Sequence, residues 1–384
     1  MFRPFRILQA AALALALSGC ATTKTRPATA PSAPAQPTAG TGTTATPSIQ
    51  AGRSISGSTS FQDAGGRLRP DIQAYAREVS QTRGVPLPRV ETVLKAARYN
   101  ATVARLMRPS NIHVRRSWVT YRKRFVDPIR IRAGSQFWME NQATLDAAAR
   151  RYGVPQSIIV AIIGVETIYG RQTGGFAVID ALATLGFSNP DDARPERSLM
   201  FRNQLADLIQ LDHEKKLNAL EVEGSYAGAI GLPQFMPGSI MRYAVDGDGD
   251  GHIDLLYDPK DAIPSVANYL RQHGWVPGLP VFAPVLLPPD AGALVGGGIV
   301  PSTDWAKLQA RGARVRPGAA NTAWEQYPLG VVDLVDEPRN LKEYRTGTPN
   351  FFAITHYNHS YFYAASVADL AQAIADNLGL PGPN

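Results

Sequence analysis

Residues 158–169 constrain the fold more than any other part of the chain. The run Ile158-Ile-Val-Ala-Ile-Ile-Gly-Val-Glu-Thr-Ile-Tyr169 is apolar all round at helical period, and a helix without a polar face belongs in the interior. Such a helix needs other helices around it, and Gly170 is its predicted stop. The run holds one ionisable carboxyl group, Glu166, near its C-terminal end. Burial disfavours the charged carboxylate, and the negative end of the helix dipole acts in the same direction, so its pKa should rise. A carboxylic acid still protonated near neutral pH can protonate a leaving-group oxygen. Taken alone, Glu166 also reads as a structural carboxylate that pairs with an arginine or reaches solvent at the helix end.

The flanking sequence supplies the surrounding helices. Asp71 reads as an N-cap, with Ile72, Tyr75, Ala76 and Val79 on one face, and helical periodicity returns over 89–107, 136–152, 199–217, 258–273 and 361–378. From 276 to 350 Pro and Gly come at short intervals, with β-favouring runs at 281–287 and 330–335, which predicts a small β-rich subdomain. The expected class is α+β, mainly α. With 44% hydrophobic and 18% charged residues the chain is not disordered as a whole. Its net charge of +7 suits an anionic partner or a membrane surface. No Lys/Arg run with interleaved aromatics points to nucleic acid. The single cysteine, Cys20, excludes a disulfide framework and a Cys-rich zinc site.

Cys20 has its own context. Arg3 and Arg6 precede an apolar run of eleven residues, 7–17, broken by Gln9. That is too short to cross a bilayer, which takes roughly 20 residues, and it reads as a signal-peptide core. It ends in Leu17-Ser18-Gly19-Cys20, which resembles a bacterial lipobox whose cysteine is lipidated and becomes the new N-terminus. Ala21 follows, and the lipoprotein resemblance implies outer-membrane sorting, facing the periplasm. Residues 21 to about 65 are rich in Thr, Ala, Pro, Ser and Gly, with one aromatic, Phe61. They predict a flexible tether with a maximum reach of about 150 Å.

Four blocks in order carry a wider resemblance. Gly164-Val-Glu-Thr167 with Tyr169-Gly-Arg171 resembles the catalytic-Glu motif of the membrane-bound lytic murein transglycosylase B family. Asp180-Ala-Leu-Ala-Thr-Leu-Gly-Phe187, the Gly-rich block 224–237 and the Tyr-Asn block 353–364 resemble the blocks that follow in that family, and together they span about residues 70–380. Read physically, the glycines of 224–237 permit tight turns and close backbone approach, while Ser225 and Gln234 offer a hydroxyl and a two-headed amide to an N-acetyl group or sugar hydroxyl. Without the resemblance, 224–237 is as easily a packing turn and 353–364 an aromatic core helix. The resemblance implies that Tyr121, Ser225, Gln234, Tyr357, Asn358 and Tyr363 line a saccharide cleft around Glu166. It further implies a lysozyme-like core at 153–275, preceded by a signal peptide (1–19), a lipidated tether (20–65) and a helical domain (66–152), and followed by the β-rich subdomain (276–350) and a return to the core (351–384).

The implied reaction needs one carboxyl group. Most glycosidases use two, and Asp180, Glu196, Asp212, Glu214, Glu221 and Glu223 are candidates for a second, none in a comparable motif. By resemblance Glu166 protonates the oxygen between MurNAc and GlcNAc, the 2-acetamido oxygen closes on C1, and the C6 hydroxyl then displaces it to leave 1,6-anhydroMurNAc. The expected partners are peptidoglycan glycan strands, the outer membrane through the lipid anchor, and cell-wall synthesis or division complexes. A hydrolytic muramidase and an inert peptidoglycan-binding scaffold are the rival readings.

Residues 246–254 resemble an EF-hand loop. Asp246, Asp248 and Asp250 stand at positions 1, 3 and 5, Gly251 at 6, and the His252 carbonyl at 7. Tyr257 replaces the usual Glu at 12. The family resemblance implies Asp261 as the closing ligand, with Asp258 as the alternative, around a structural Ca2+. After Pro190 the family often has a basic pair where this chain has Asp191 and Asp192; Arg194 and Arg197 follow, either as recognition sites for an acidic peptide or as solvated charges. The histidines are read as scaffold, and Trp118, Trp138, Trp275, Trp305 and Trp324 as packing.

Overall fold

The structure, a computed structural model, describes residues 59–109, 114–191, 193–319 and 321–384. The signal peptide, Cys20 and the tether as far as residue 58 lie outside the described residues, as does Asp192. The helical portion opens with α1 (Pro70–Arg83), α2 (Leu87–Ala96) and α3 (Ala101–Leu106). It continues through α4 (Trp118–Phe125), α5 (Pro128–Glu140), α6 (Gln142–Tyr152) and α7 (Gln156–Thr167). A short strand β1 (Phe176–Ala177) leads into α8 (Val178–Phe187) and α9 (Pro195–His213). Strand β2 (Glu223–Gly224) then pairs antiparallel with β1, before α10 (Pro237–Tyr243) and α11 (Pro259–Gln272). The subdomain holds β3 (Val285–Leu286), α12 (Trp305–Ala310), β4 (Arg314–Val315) and the hairpin β5 (Gly330–Asp336) and β6 (Leu341–Gly347). The chain returns through α13 (Pro349–Thr355) and α14 (Tyr361–Leu378).

The apolar helix occupies the centre, as its composition demands. Every residue of α7 from Ser157 to Val165 is buried, packed by α5, α6, α11 and α14. Close approach of α14 follows from its small buried residues, Ala364, Ala365, Ala368 and Ala371. Removing one such isoleucine side chain from α7 would cost about 2–5 kcal/mol.

Three local readings need correction. Helix α1 starts at Pro70, whose fixed φ suits the first helical position, and Asp71 pairs with Arg69 at 2.8 Å instead of capping. Helix α7 stops at Ile168, which turns left-handed (φ 50), two residues before Gly170. The body also begins earlier than residue 66. Phe61 is 3% exposed and lies edge-on to Phe187, which lies edge-on to Tyr75, while Gln62 bridges to Leu68. A single aromatic is enough to join this segment to the core when a ring pocket receives it.

The subdomain is less β-rich than its texture predicts. The run 281–287 is strand only at Val285–Leu286, paired with β4, whereas 330–335 forms a full strand in register with β6, Asp333 opposite Tyr344. Alternation along β5 gives the hairpin two faces. Val331 joins a small core with Trp305 and Trp324, and Val332 and Leu334 join the main core. The hairpin thereby braces the cleft. Asp336 accepts from Ser117 Oγ and Val119 N at the start of α4, both at 2.9 Å. Arg345 binds Asp369 of α14 through both Nη atoms (2.6 and 3.2 Å), and Arg122 of α4 reaches the same carboxylate.

Candidate active site

Glu166 lies one residue before the end of α7, in a ring of tyrosines from three other elements. Tyr363, in the first turn of α14, donates its hydroxyl to Glu166 Oε1 at 2.6 Å. Its own position is set by the Ser360 cap, whose Oγ accepts from Tyr363 N. The Tyr357 ring stacks on Tyr363 with centroids 6.3 Å apart, and its hydroxyl donates to Pro233 O at 2.9 Å. Tyr121 comes from α4 and packs on Phe125 and Phe362.

Burial pushes the Glu166 carboxyl up to about 7, opposed by the Tyr363 hydrogen bond, which favours the ionised form. Half-buried at the cleft floor, the side chain keeps an opening toward solvent. The neighbouring phenols respond to it. Tyr121 is pushed up to about 12 by burial and then by the Glu166 charge, and Tyr357 and Tyr363 rise for the same two reasons in that order.

Among the described residues no second carboxylate shares the site. The Glu166 shift comes from burial and Tyr363. Three of the other candidate acids are engaged elsewhere: Asp180 accepts from Arg98 N, Asp212 holds Arg89, and Glu214 holds Lys216. Glu166 itself is hydrogen-bonded by a phenol and not paired with an arginine.

The Gly-rich block packs against the end of α7 and against Tyr357. Thr167 Oγ1, next to Glu166, lies 3.1 Å from Leu232 O and accepts from Gly170 N at 3.0 Å, which locks the block to the end of α7. At Gly231 (φ +73) a Cβ would sit 2.2 Å from Leu255 O, so only glycine fits. Gln234, itself left-handed (φ 50), spends its amide hydrogens on Thr173 O and Gly231 O. It therefore presents Oε1, an acceptor, and not both heads of the amide. Ser225 Oγ accepts from Ala229 N at 3.0 Å, and its proton remains to donate. Asn358 is half-buried in the turn before α14, where its carbonyl accepts from Ser360 N.

Tyr269 of α11 is a site residue that sequence reading missed. Burial raises its pKa first and the Glu166 charge contributes, its ring packs on Tyr357 (4.7 Å), and its hydroxyl donates to His356 O at 2.8 Å. Its position on an apolar helix face gave no signal beyond core. The tryptophans pack as predicted, from Trp324 at 0% to Trp138 and Trp305 at 6% exposure. Asp191 is buried and holds both Arg194 (2.6 Å) and Arg197 (3.0 Å); Arg197 is buried with it, while Arg194 stays partly exposed.

In the acidic loop, carboxylate oxygens of Asp246, Asp248 and Asp261 lie within 4.8 Å of one another. Asp261 is buried and accepts from Gly247 N and Asp254 N, closing the loop onto α11. Asp258 serves instead as the cap of α11, accepting from Lys260 N at 2.7 Å. Asp250 stands outside the trio, accepting from His252 N. Three anionic oxygens in so small a space, partly offset by Lys260 on Asp248 at 3.0 Å, fit a hard cation of the Ca2+ type.

A single desolvated acid in a tyrosine-lined cleft, carried at the end of a buried helix, is the site of a lysozyme-like fold with one carboxyl group. The transglycosylase SLT domain model matches residues 67–372, and the chain belongs to that family. It is 36% identical over 322 residues to membrane-bound lytic murein transglycosylase B of Escherichia coli K12, covering 80% of this chain and 83% of that protein. The soluble lytic transglycosylase SltB1 of Pseudomonas aeruginosa superposes with TM-score 0.71 at 38% identity, covering 81% of this chain and all of that one. Escherichia coli Slt35, solved in complex with calcium, superposes with TM-score 0.68 at 36% identity over 80% of this chain and 93% of its own.

Proposed function

We propose that this protein is a peptidoglycan lytic transglycosylase that cuts the β-1,4 bond between MurNAc and GlcNAc and releases 1,6-anhydroMurNAc. The observation that carries the reading is the lone carboxyl group held near pKa 7 with no carboxylate partner. Glu166 in its protonated form donates to the glycosidic oxygen as the C1–O bond breaks. The MurNAc 2-acetamido oxygen bonds to C1, the role a second carboxylate fills in other glycosidases. Glu166, now ionised, takes the C6 hydroxyl proton while that oxygen bonds to C1 and the acetamido oxygen leaves. The proton count closes on Glu166, and no water is consumed. The tethered hydroxyl brings the advantage of an intramolecular nucleophile.

Tyr363 holds the Glu166 carboxylate in place between the two proton transfers. Tyr121, Tyr357, Asn358, Ser225 and Gln234 form the cleft that binds the glycan, Gln234 through its acceptor oxygen. Asp246, Asp248 and Asp261 would hold Ca2+ in the acidic loop, where the ion would offset their charge at the start of α11; Asp250 and the His252 carbonyl are the further ligands that the loop pattern offers. Lipidation at Cys20 would anchor the body to the outer membrane, on the periplasmic side, within reach of the wall.

The test is mass spectrometry of sacculi digested with the chain begun at residue 59, so that Phe61 is kept, and with its Glu166→Gln variant. Products one water lighter than ordinary muropeptides, absent with the variant, carry the reading. Reducing-end products would make the protein a hydrolase, and binding without products would make it a scaffold.

A further inference from the structure

We infer that Tyr169 is a positioning residue for Glu166, a ring wedged between α5 and α7 that stops the catalytic helix and aims its last turn; the inference rests on the site reading above. Helix ends ordinarily fray, yet Glu166 sits at one and must keep its angle to Tyr363 through two proton transfers. The chain after it is held in an uncommon conformation. Ile168 (φ 50), Tyr169 (φ 58) and Gly170 (φ 84) are left-handed in succession. For a β-branched residue such as Ile168 that backbone is an outlier, kept only where the surroundings impose it.

The surroundings here are two glycines and one ring. A Cβ on Gly134 of α5 would lie 2.3 Å from Tyr169 Oη, and a Cβ on Gly164 of α7 would lie at the same distance. Both helices therefore carry glycine where the phenol passes between them. The ring packs on Phe137 at 5.3 Å, and Oη donates to Arg130 O at 3.2 Å. Arg130 closes the device from the other side: its Nε donates to Gly164 O at 3.1 Å, and its Nη1 is held by Asp127 at 2.7 Å. Gly164 O, two residues before Glu166, also accepts from Ile168 N. The last turn of α7 is thus fastened by Tyr169, Arg130 and Thr167 on one side, leaving Glu166 directed toward Tyr363 on the other.

The wedge also keeps water from the base of Glu166. The titratable groups facing Glu166 are Tyr121 from α4, Tyr269 from α11, Tyr357 from the turn after α13 and Tyr363 from the first turn of α14; those facing Tyr169 are Arg130 and Asp127. Tyr169 is not among the groups that shift Glu166, so a change in Glu166 titration on substituting it reports on position and burial.

The experiment compares Tyr169→Leu, Tyr169→Phe and, as a destabilised control remote from the site, Val93→Ala in the chain begun at residue 59. Tyr169→Leu is expected to lower kcat by about 10²-fold, as a displaced catalytic group does, with KM within about twofold. The alkaline limb of its pH profile should move from about 7 toward the ordinary value of 4.5. Tyr169→Phe keeps the ring and is expected to restore both kcat and the limb. If Tyr169→Leu matches Val93→Ala, losing stability with its pH profile unmoved, the inference is overturned. The same holds if the phenylalanine fails to rescue. Carbon-13 carboxyl titration, with Glu166 assigned by difference from Glu166→Gln, reads the shift directly. That arm stays decisive even if the wild-type products contain no anhydro sugar, an outcome that would count against the reaction and not against the wedge.

Discussion

At the scale of single residues the chemistry depends on one pKa and the two effects that set it. In the proposed reaction Glu166 starts protonated, so kcat/KM should hold at acid pH and fall as pH rises through about 7. Glu166→Gln removes the proton donor and should cost about 10²–10⁴-fold in rate. The same substitution should stabilise the fold at alkaline pH. Folded Glu166 keeps its proton to about 7 while the unfolded chain loses it near 4.5, so this group's contribution falls as pH rises between those values. Melting curves at pH 5 and pH 8 check this: the variant should gain Tm at pH 8 and little at pH 5. Tyr363→Phe acts in the opposite direction on the titration. It deletes the hydrogen bond that favours the ionised form, so the alkaline limb should move upward while kcat drops. A limb that moved downward would refute the assigned role of the phenol.

Among the elements, the hairpin ties together the two helices that carry Tyr121 and Tyr363. Helix α4 carries Tyr121 and α14 carries Tyr363, and Asp369 of α14 binds Arg122 of α4 and Arg345 of β6 together. Arg345 lies over the Trp118 and Phe282 rings, at 5.6 and 4.9 Å, and Trp118 Nε1 donates to Glu343. Removing Arg345 leaves Asp369 with one cation instead of two. For a pair this far from solvent, Arg345→Met should cost roughly 1–3 kcal/mol, between the surface and buried limits. Urea denaturation should show a lower midpoint with an unchanged slope. KM should rise with it, because β6 then loses its hold on the Asp369 carboxylate that also binds Arg122 of α4.

For the whole molecule, the acidic loop and the tether are expected to serve stability and reach, with no part in the chemistry. Asp246, Asp248 and Asp261 crowd their oxygens at the start of α11, which packs on α7. Ca2+ at about a hundred times its Kd would add roughly 2.7 kcal/mol to the folded state. Chelation should therefore lower Tm by several degrees and leave the rate at 25 °C close to its starting value. Asp261→Asn should abolish the calcium dependence, and Asp258→Asn should keep it, since Asp258 caps a helix instead. Retention of the calcium shift in Asp261→Asn would assign the closing ligand elsewhere.

Much of this protein follows from sequence through strong local physics. A helix apolar on all sides has to be buried, and a lone carboxyl group inside it has to feel that burial; both hold at α7 and Glu166. The Gly-rich and Tyr-Asn blocks do meet, Tyr357 donating to Pro233 O, and the acidic spacing of the loop does bring Asp246 and Asp248 together with Asp261. Other features depend on which surfaces meet, and no local pattern records that. Phe61 looks like tether until Phe187 receives it, and Tyr269 looks like core until α11 is laid beside Tyr357. Arg194 and Arg197 look like open cations until Asp191 folds under them. Gly170 looks like the helix stop because glycine tolerates a left-handed turn at no cost. Only the packed glycines of α5 and α7, with the Tyr169 ring between them, place that turn at Ile168 and so decide where Glu166 points.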